Sequence, residues 1–212
     1  GQDVNNINPW ISGNVLIATA LTESSERIRK SVIEKAMECL DVFVNTYGSD
    51  GGCKEGPQYW SHAAGSFFEA LEILYDMTGG KADYFGEEIV FKMMDYIRKM
   101  HLQGSTYANY ADCDNKLYIN GHTTAVRIGI RTKNDALLNF AAANTKEDYI
   151  PDRYDHIYRD LKNICFKVPV CGDYVSNDFD LLENLQVVVY RNKDGFIVSA
   201  KGGSNAERHN HN

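Results

Sequence analysis

The stretch Asp50-Gly51-Gly52-Cys53-Lys54-Glu55-Gly56-Pro57-Gln58-Tyr59-Trp60 sets a carboxylate, a phenol and an indole directly after a glycine turn, in a run too polar and too glycine-rich to be core. A phenol with an ordinary pKa of about 10 stays protonated near neutrality. Ionising it costs roughly 4 kcal/mol unless nearby donors or cations lower that value, and the regenerated phenol is then an effective acid. Tyr59 is therefore the first candidate for proton transfer, and His62 follows three residues on. Near the start of the chain, Asn5, Asn6, Asn8 and Asn14 supply neutral amide donors of the kind that stabilise an oxyanion. The same asparagines also serve as helix caps and loop formers. At the far end stand His209-Asn210-His211. Two histidines so spaced share a face on a strand and can splay apart in a loop.

The elements that must hold these groups are mostly helical. Ile11, Val15, Leu16, Ala18 and Leu21 predict a helix from Pro9 to Thr22, with proline in its first turn. After Glu23-Ser24-Ser25, apolar residues from Ile28 to Phe43 recur at three- and four-residue steps, and two helices so closely joined pack as a hairpin. Ser66 to Met77 predicts a helix stopped by Thr78-Gly79-Gly80, and Gly86 to Met100 the next. A further pair spans Gly121 to Arg131 and Asp135 to Asn144, and Pro151 to Phe166 reads as one more amphipathic segment. Successive helical hairpins with loops between them predict an α/α solenoid or toroid. The character changes near the end: Leu185 to Tyr190 and Phe196 to Ala200 flank Asn192-Lys193-Asp194-Gly195, a strong hairpin signal. A lone hairpin is marginal in water, so these strands should belong to a larger sheet.

The chain has 212 residues and is 43% hydrophobic, enough for one sizeable core, and it has neither a membrane-spanning apolar run nor a cleavable secretory signal at its start. A soluble chain is expected, with no membrane partner and its compartment left open. Gly1-Gln2-Asp3-Val4 looks like a trimmed start, so the expectation is an internal piece of a longer protein. The net charge of −7, from 22 basic against 29 acidic residues, argues against non-specific nucleic-acid binding. Five scattered cysteines without a C-x-x-C pattern predict free thiols.

Three segments in order, Asn6 to Asn14 ("NINPWISGN"), Asp50 to Trp60 and Lys201 to Asn212 ("KGGSNAERHNHN"), resemble the heparinase II/III-like polysaccharide lyases over essentially the whole chain. That resemblance implies a mainly α fold: a partial (α/α) toroid over residues 1–180, then a C-terminal β-hairpin, residues 181–212, from a truncated antiparallel β-sandwich. It implies an enzyme that cleaves an acidic, uronate-containing polysaccharide by β-elimination in the cleft between the two domains. Removing the C5 proton beside a carboxylate and expelling the C4 oxygen requires a neutralising donor, a base and an acid. By resemblance Tyr59, in the pattern Glu55-Gly56-Pro57-Gln58-Tyr59, is base and acid, Asn8 supports the carboxylate, and His209 assists from the β domain. Trp10 stands where several relatives carry a histidine.

The remaining expectations are of binding. Glu55 orients Tyr59 or a sugar hydroxyl, and Trp60 either offers a ring face to sugar or is a buried indole at a helix start. His62, Asn14, and Tyr107 and Tyr110 of "YANYADCD" are further sugar contacts, each with packing as the plainer alternative. Arg127, one helical turn before Arg131, is a candidate local cation or a member of a charged face. The second histidine of the family's H-x-H-x-D segment implies His211 as ligand of a structural zinc or other divalent metal in a longer chain; no other cofactor is expected. The rivals are a glycoside hydrolase with paired carboxylates, Asp50 with Glu55 or Glu55 with Asp112, and a non-catalytic carbohydrate-binding piece. Self-association through surfaces meant for absent neighbours is also expected.

Overall fold

The computed structural model describes residues 4–117, 122–144, 156–169 and 171–209. Among them are seven α-helices and two small antiparallel sheets: α1 Ile7–Thr22, α2 Glu26–Val44, α3 Ser66–Met77, α4 Glu88–Met100, β1 His101–Gln103, β2 Thr106–Tyr107, α5 His122–Arg131, α6 Asp135–Asn144, α7 Ile157–Cys165, β3 Phe179–Leu182, β4 Val187–Arg191 and β5 Ile197–Lys201. The mainly helical reading with a C-terminal hairpin holds.

Helices α1 and α2 form the expected hairpin, and Ser25 caps α2 by accepting from the Ile28 backbone N–H. Helix α1 also lies against α3, and α5 pairs with α6. One apolar core runs through them, from Leu16 and Phe43 through Phe68, Met93 and Met94 to Ile128 and Phe140. All five cysteines are free, as their spacing predicted. No helix among the described residues is long and apolar enough to cross a membrane.

The C-terminal sheet has three strands in the order β3-β4-β5, so the hairpin gains its extra strand from the preceding sequence. In β3 the alternation is inverted: Asp180 faces inward and Phe179 outward. Asp180 pairs at 2.7 Å with Arg191 of β4, itself buried. The Arg191 guanidinium also donates to the backbone carbonyls of Asn177, Lys99 and His101, which docks the sheet onto the end of α4. Asp50 makes a second clasp, accepting from Gly52 N at 3.0 Å and from Leu185 N at 2.9 Å.

Helix α7 is also inverted. Ile157 and Ile164 are 73% and 70% exposed, while Arg159 and Asn163 are buried. The polar side wins because α3 presents carboxylates to it. Arg159 Nε lies 2.6 Å from Glu69 Oε1 and Lys162 Nζ 2.8 Å from Asp76 Oδ2. A buried carboxylate without such a partner would be strongly disfavoured.

Candidate functional site

Between α2 and α3 the chain runs through the glycine-rich stretch into a 3₁₀ turn, Pro57–Trp60, and then a π-helical turn, Ser61–Gly65, that leads into α3. Such π-turns recur at functional sites. This one is tied from behind by Arg159, which donates to the Ser61 carbonyl at 2.8 Å.

Gly56 fixes the front of the loop. Its φ is 93°, and a Cβ there would stand 2.6 Å from the Tyr110 carbonyl oxygen and 2.9 Å from Cys113 Cβ. Only glycine allows the 50–60 loop to lie this close to the 107–114 loop. The two are further joined by Asp114 N–H donating to Gln58 Oε1 at 2.8 Å. Gly56→Ala is expected to lower the melting temperature and to separate Glu55 from Asp112; circular dichroism melting checks the first, and an unchanged melt would contradict it.

The juxtaposed loops bring three ionisable groups together. His209 Nδ1 is 2.6 Å from Asp112 Oδ2, and His209 Nε2 is 3.8 Å from Glu55 Oε1. Burial pushes the Glu55 carboxyl above its ordinary range, while His209 and the backbone N–H of Asn6, which the carboxylate accepts, pull it back. The Asn6 contact seats the start of α1 on the loop. One turn along α1, Trp10 meets the His62 ring edge-on at a centroid distance of 5.1 Å and lies 5.4 Å from the His156 ring. Tyr59 is half-buried with its ring 6.1 Å from that of His62. The stretch after α2 thus holds a carboxylate facing a histidine, Glu55 with His209, and a phenol beside the ring group of His62, Trp10 and His156.

Of the expected residues, Glu55, Tyr59, His62 and His209 belong to this neighbourhood. Asn8 is half-buried in the first turn of α1; its amide oxygen is enclosed without a hydrogen bond, and it makes neither of the contacts that Asn6 and Trp10 make. Asn14 is exposed one turn beyond Trp10, on the same side of the helix. His211 lies outside the described residues.

Four expectations are corrected. Trp60 is 1% exposed and donates from Nε1 to the Met93 carbonyl at 3.0 Å, so it is core and has no face for sugar. Tyr107 is 2% exposed and packs on His101. The Tyr110 hydroxyl is turned inward to Tyr96 and the Cys53 carbonyl, and burial raises its pKa well above the phenol range. Arg127, 2% exposed, sits 3.5 Å from Glu69 Oε1 and 3.5 Å from Glu72 Oε2, where it neutralises the buried face of α3. Sequence reasoning missed His156, which has no informative spacing, and the role of Asp112 beside His209. The sequence places Asp112 only as a carboxylate to pair with Glu55, since nothing local links it to residue 209.

Glu55, Asp112 and His209 offer donor atoms within 4.8 Å of one another, the sole group of this kind among the described residues. The 2.6 Å between Nδ1 and Oδ2 is a hydrogen-bond length. Two donors about 2.1 Å from one metal stand roughly 3 Å or more apart, so binding there would first have to open this pair. No known family model and no curated protein matches the chain.

Proposed function

We propose that the protein is a uronate-specific polysaccharide lyase, built on part of an (α/α) toroid with the beginning of a β-sandwich, that works by β-elimination. The observation that carries this reading is the contact of half-buried Tyr59 with the His62 ring on the same loop whose Glu55 faces His209 of the C-terminal segment at 3.8 Å. Tyr59 takes the C5 proton and returns it to the departing C4 oxygen. The cationic form of His209 would favour the phenolate, and with it the first step. Asn8 supports the substrate carboxylate. Its place in the first turn of α1 is what supports this role; its amide oxygen is enclosed without a hydrogen bond. Trp10, instead of Trp60, supplies the aromatic wall.

One observation favours a second reading, hydrolysis with Glu55 and Asp112 as paired carboxylates, since their oxygens approach within 4.8 Å. Against it, Asp112 is already engaged by His209. The two are separated by incubating the protein with a panel of uronate polysaccharides. Elimination makes a conjugated C4=C5 double bond and ultraviolet absorbance rises. New reducing ends without that rise would replace the lyase reading with the hydrolase one, and binding without any cleavage would replace both.

A further inference from the structure

We infer that Asp112 is a positioning residue that fixes the ring and the tautomer of His209, so that Nε2 is the working atom of that histidine. The inference rests on the lyase reading for its consequence, though not for its geometry. Asp112 Oδ2 lies 2.6 Å from His209 Nδ1, within the range of a charge-assisted hydrogen bond. A carboxylate only accepts, so Nδ1 must carry the proton. In the neutral ring Nε2 then holds the lone pair, aimed into the space bordered by Glu55, 3.8 Å away.

Both partners are held in unusual backbone. His209 has φ 73° and Ala111, just before Asp112, has φ 54°, left-handed values that few non-glycine residues adopt. The loop bearing Asp112 is also clamped by the Gly56 approach and by the Gln58 side chain that receives the Asp114 N–H. Strain on either side of a short hydrogen bond is the signature of a geometry that its surroundings impose. Replacing the carboxylate with an amide of the same shape inverts the logic. The amide N–H can donate to Nδ1, which moves the ring proton to Nε2 and removes the lone pair from the side facing Glu55.

The test uses nitrogen-15 labelled histidine in the whole chain and reads the ring nitrogens by NMR under alkaline conditions in which a free imidazole is neutral. His209 is assigned by its absence from the His209→Gln spectrum. The expected wild-type result is a protonated Nδ1. Asp112→Asn is expected to convert His209 to the Nε2–H tautomer and to lower kcat by about 10²-fold or more at nearly unchanged KM, with Asp112→Glu recovering part of the rate. A wild-type ring protonated at Nε2, or a switched tautomer with unchanged kcat, would overturn the inference. The wild-type spectrum decides the geometry even if Asp112→Asn does not fold. A protonated Nδ1 in a protein that yields no unsaturated product from any uronate polymer would uphold the pairing and defeat the lyase reading instead.

Discussion

Tyr59→Phe is expected to remove unsaturated product formation almost completely, by about 10³-fold or more, while the melting temperature stays within a few degrees of wild type. General acid–base catalysis by one positioned group contributes about 10²–10⁴-fold, and here a single oxygen is assigned both the base step and the acid step. The structural cost is small because Tyr59 is half-buried and its ring, which phenylalanine keeps, makes the contact with His62. Progress curves of ultraviolet absorbance, set beside a thermal melt, check both halves. A Tyr59→Phe protein with normal turnover would end the assignment.

The second large effect is on stability. Arg159→Ala leaves Glu69 buried on α3 with Arg127 as its remaining cation at 3.5 Å, and it strips the Ser61 carbonyl of its donor. Removing one member of a buried ion pair costs about 3–5 kcal/mol, because the charge left behind is no longer compensated. The remaining Arg127 contact sets the expectation at the lower end of that range. Because the guanidinium supports the π-turn that follows Tyr59, the proposed elimination activity is expected to fall even at temperatures where the variant stays folded. Urea denaturation measures the first effect; a loss below about 1 kcal/mol would mean that the α3 carboxylates do not depend on α7.

The helices were legible because their apolar periods coincide with what the core requires. Asp135 to Asn144 is matched residue for residue, and Ser66 to Met77 likewise. The errors lie where a polar group turns inward. In β3 the run Phe179-Asp180-Leu181-Leu182 buries its aspartate because Arg191 waits beneath it, and no local pattern announces a partner from another strand. Helix α7 has a clean apolar stripe that any periodicity argument assigns to a core, yet Arg159 and Asn163 are the residues it buries. The short pair β1–β2 is too brief to register against its glycine turn. For the site, Glu55, Tyr59 and His62 could be found together because one loop carries all three. Asp112 and His209 come from segments 97 residues apart, and no local pattern links the first to the second. Trp60 followed the plainer of its two readings for a similar reason: its indole N–H finds the Met93 carbonyl on α4, a contact that adjacent sequence does not encode.

Arg191 has a further implication for how the molecule comes apart. The five hydrogen bonds of its guanidinium span the sheet, the segment before it and the exit of α4. Peeling the strands away would carry the Arg191–Asp180 pair with them and leave the Lys99 and His101 carbonyls at the exit of α4 without their donor, so the sheet has no inexpensive way to detach by itself. Heat should therefore dissolve the strands and the neighbouring helices as one cooperative block, and the histidine delivered by the last turn keeps its place for as long as the helical body survives.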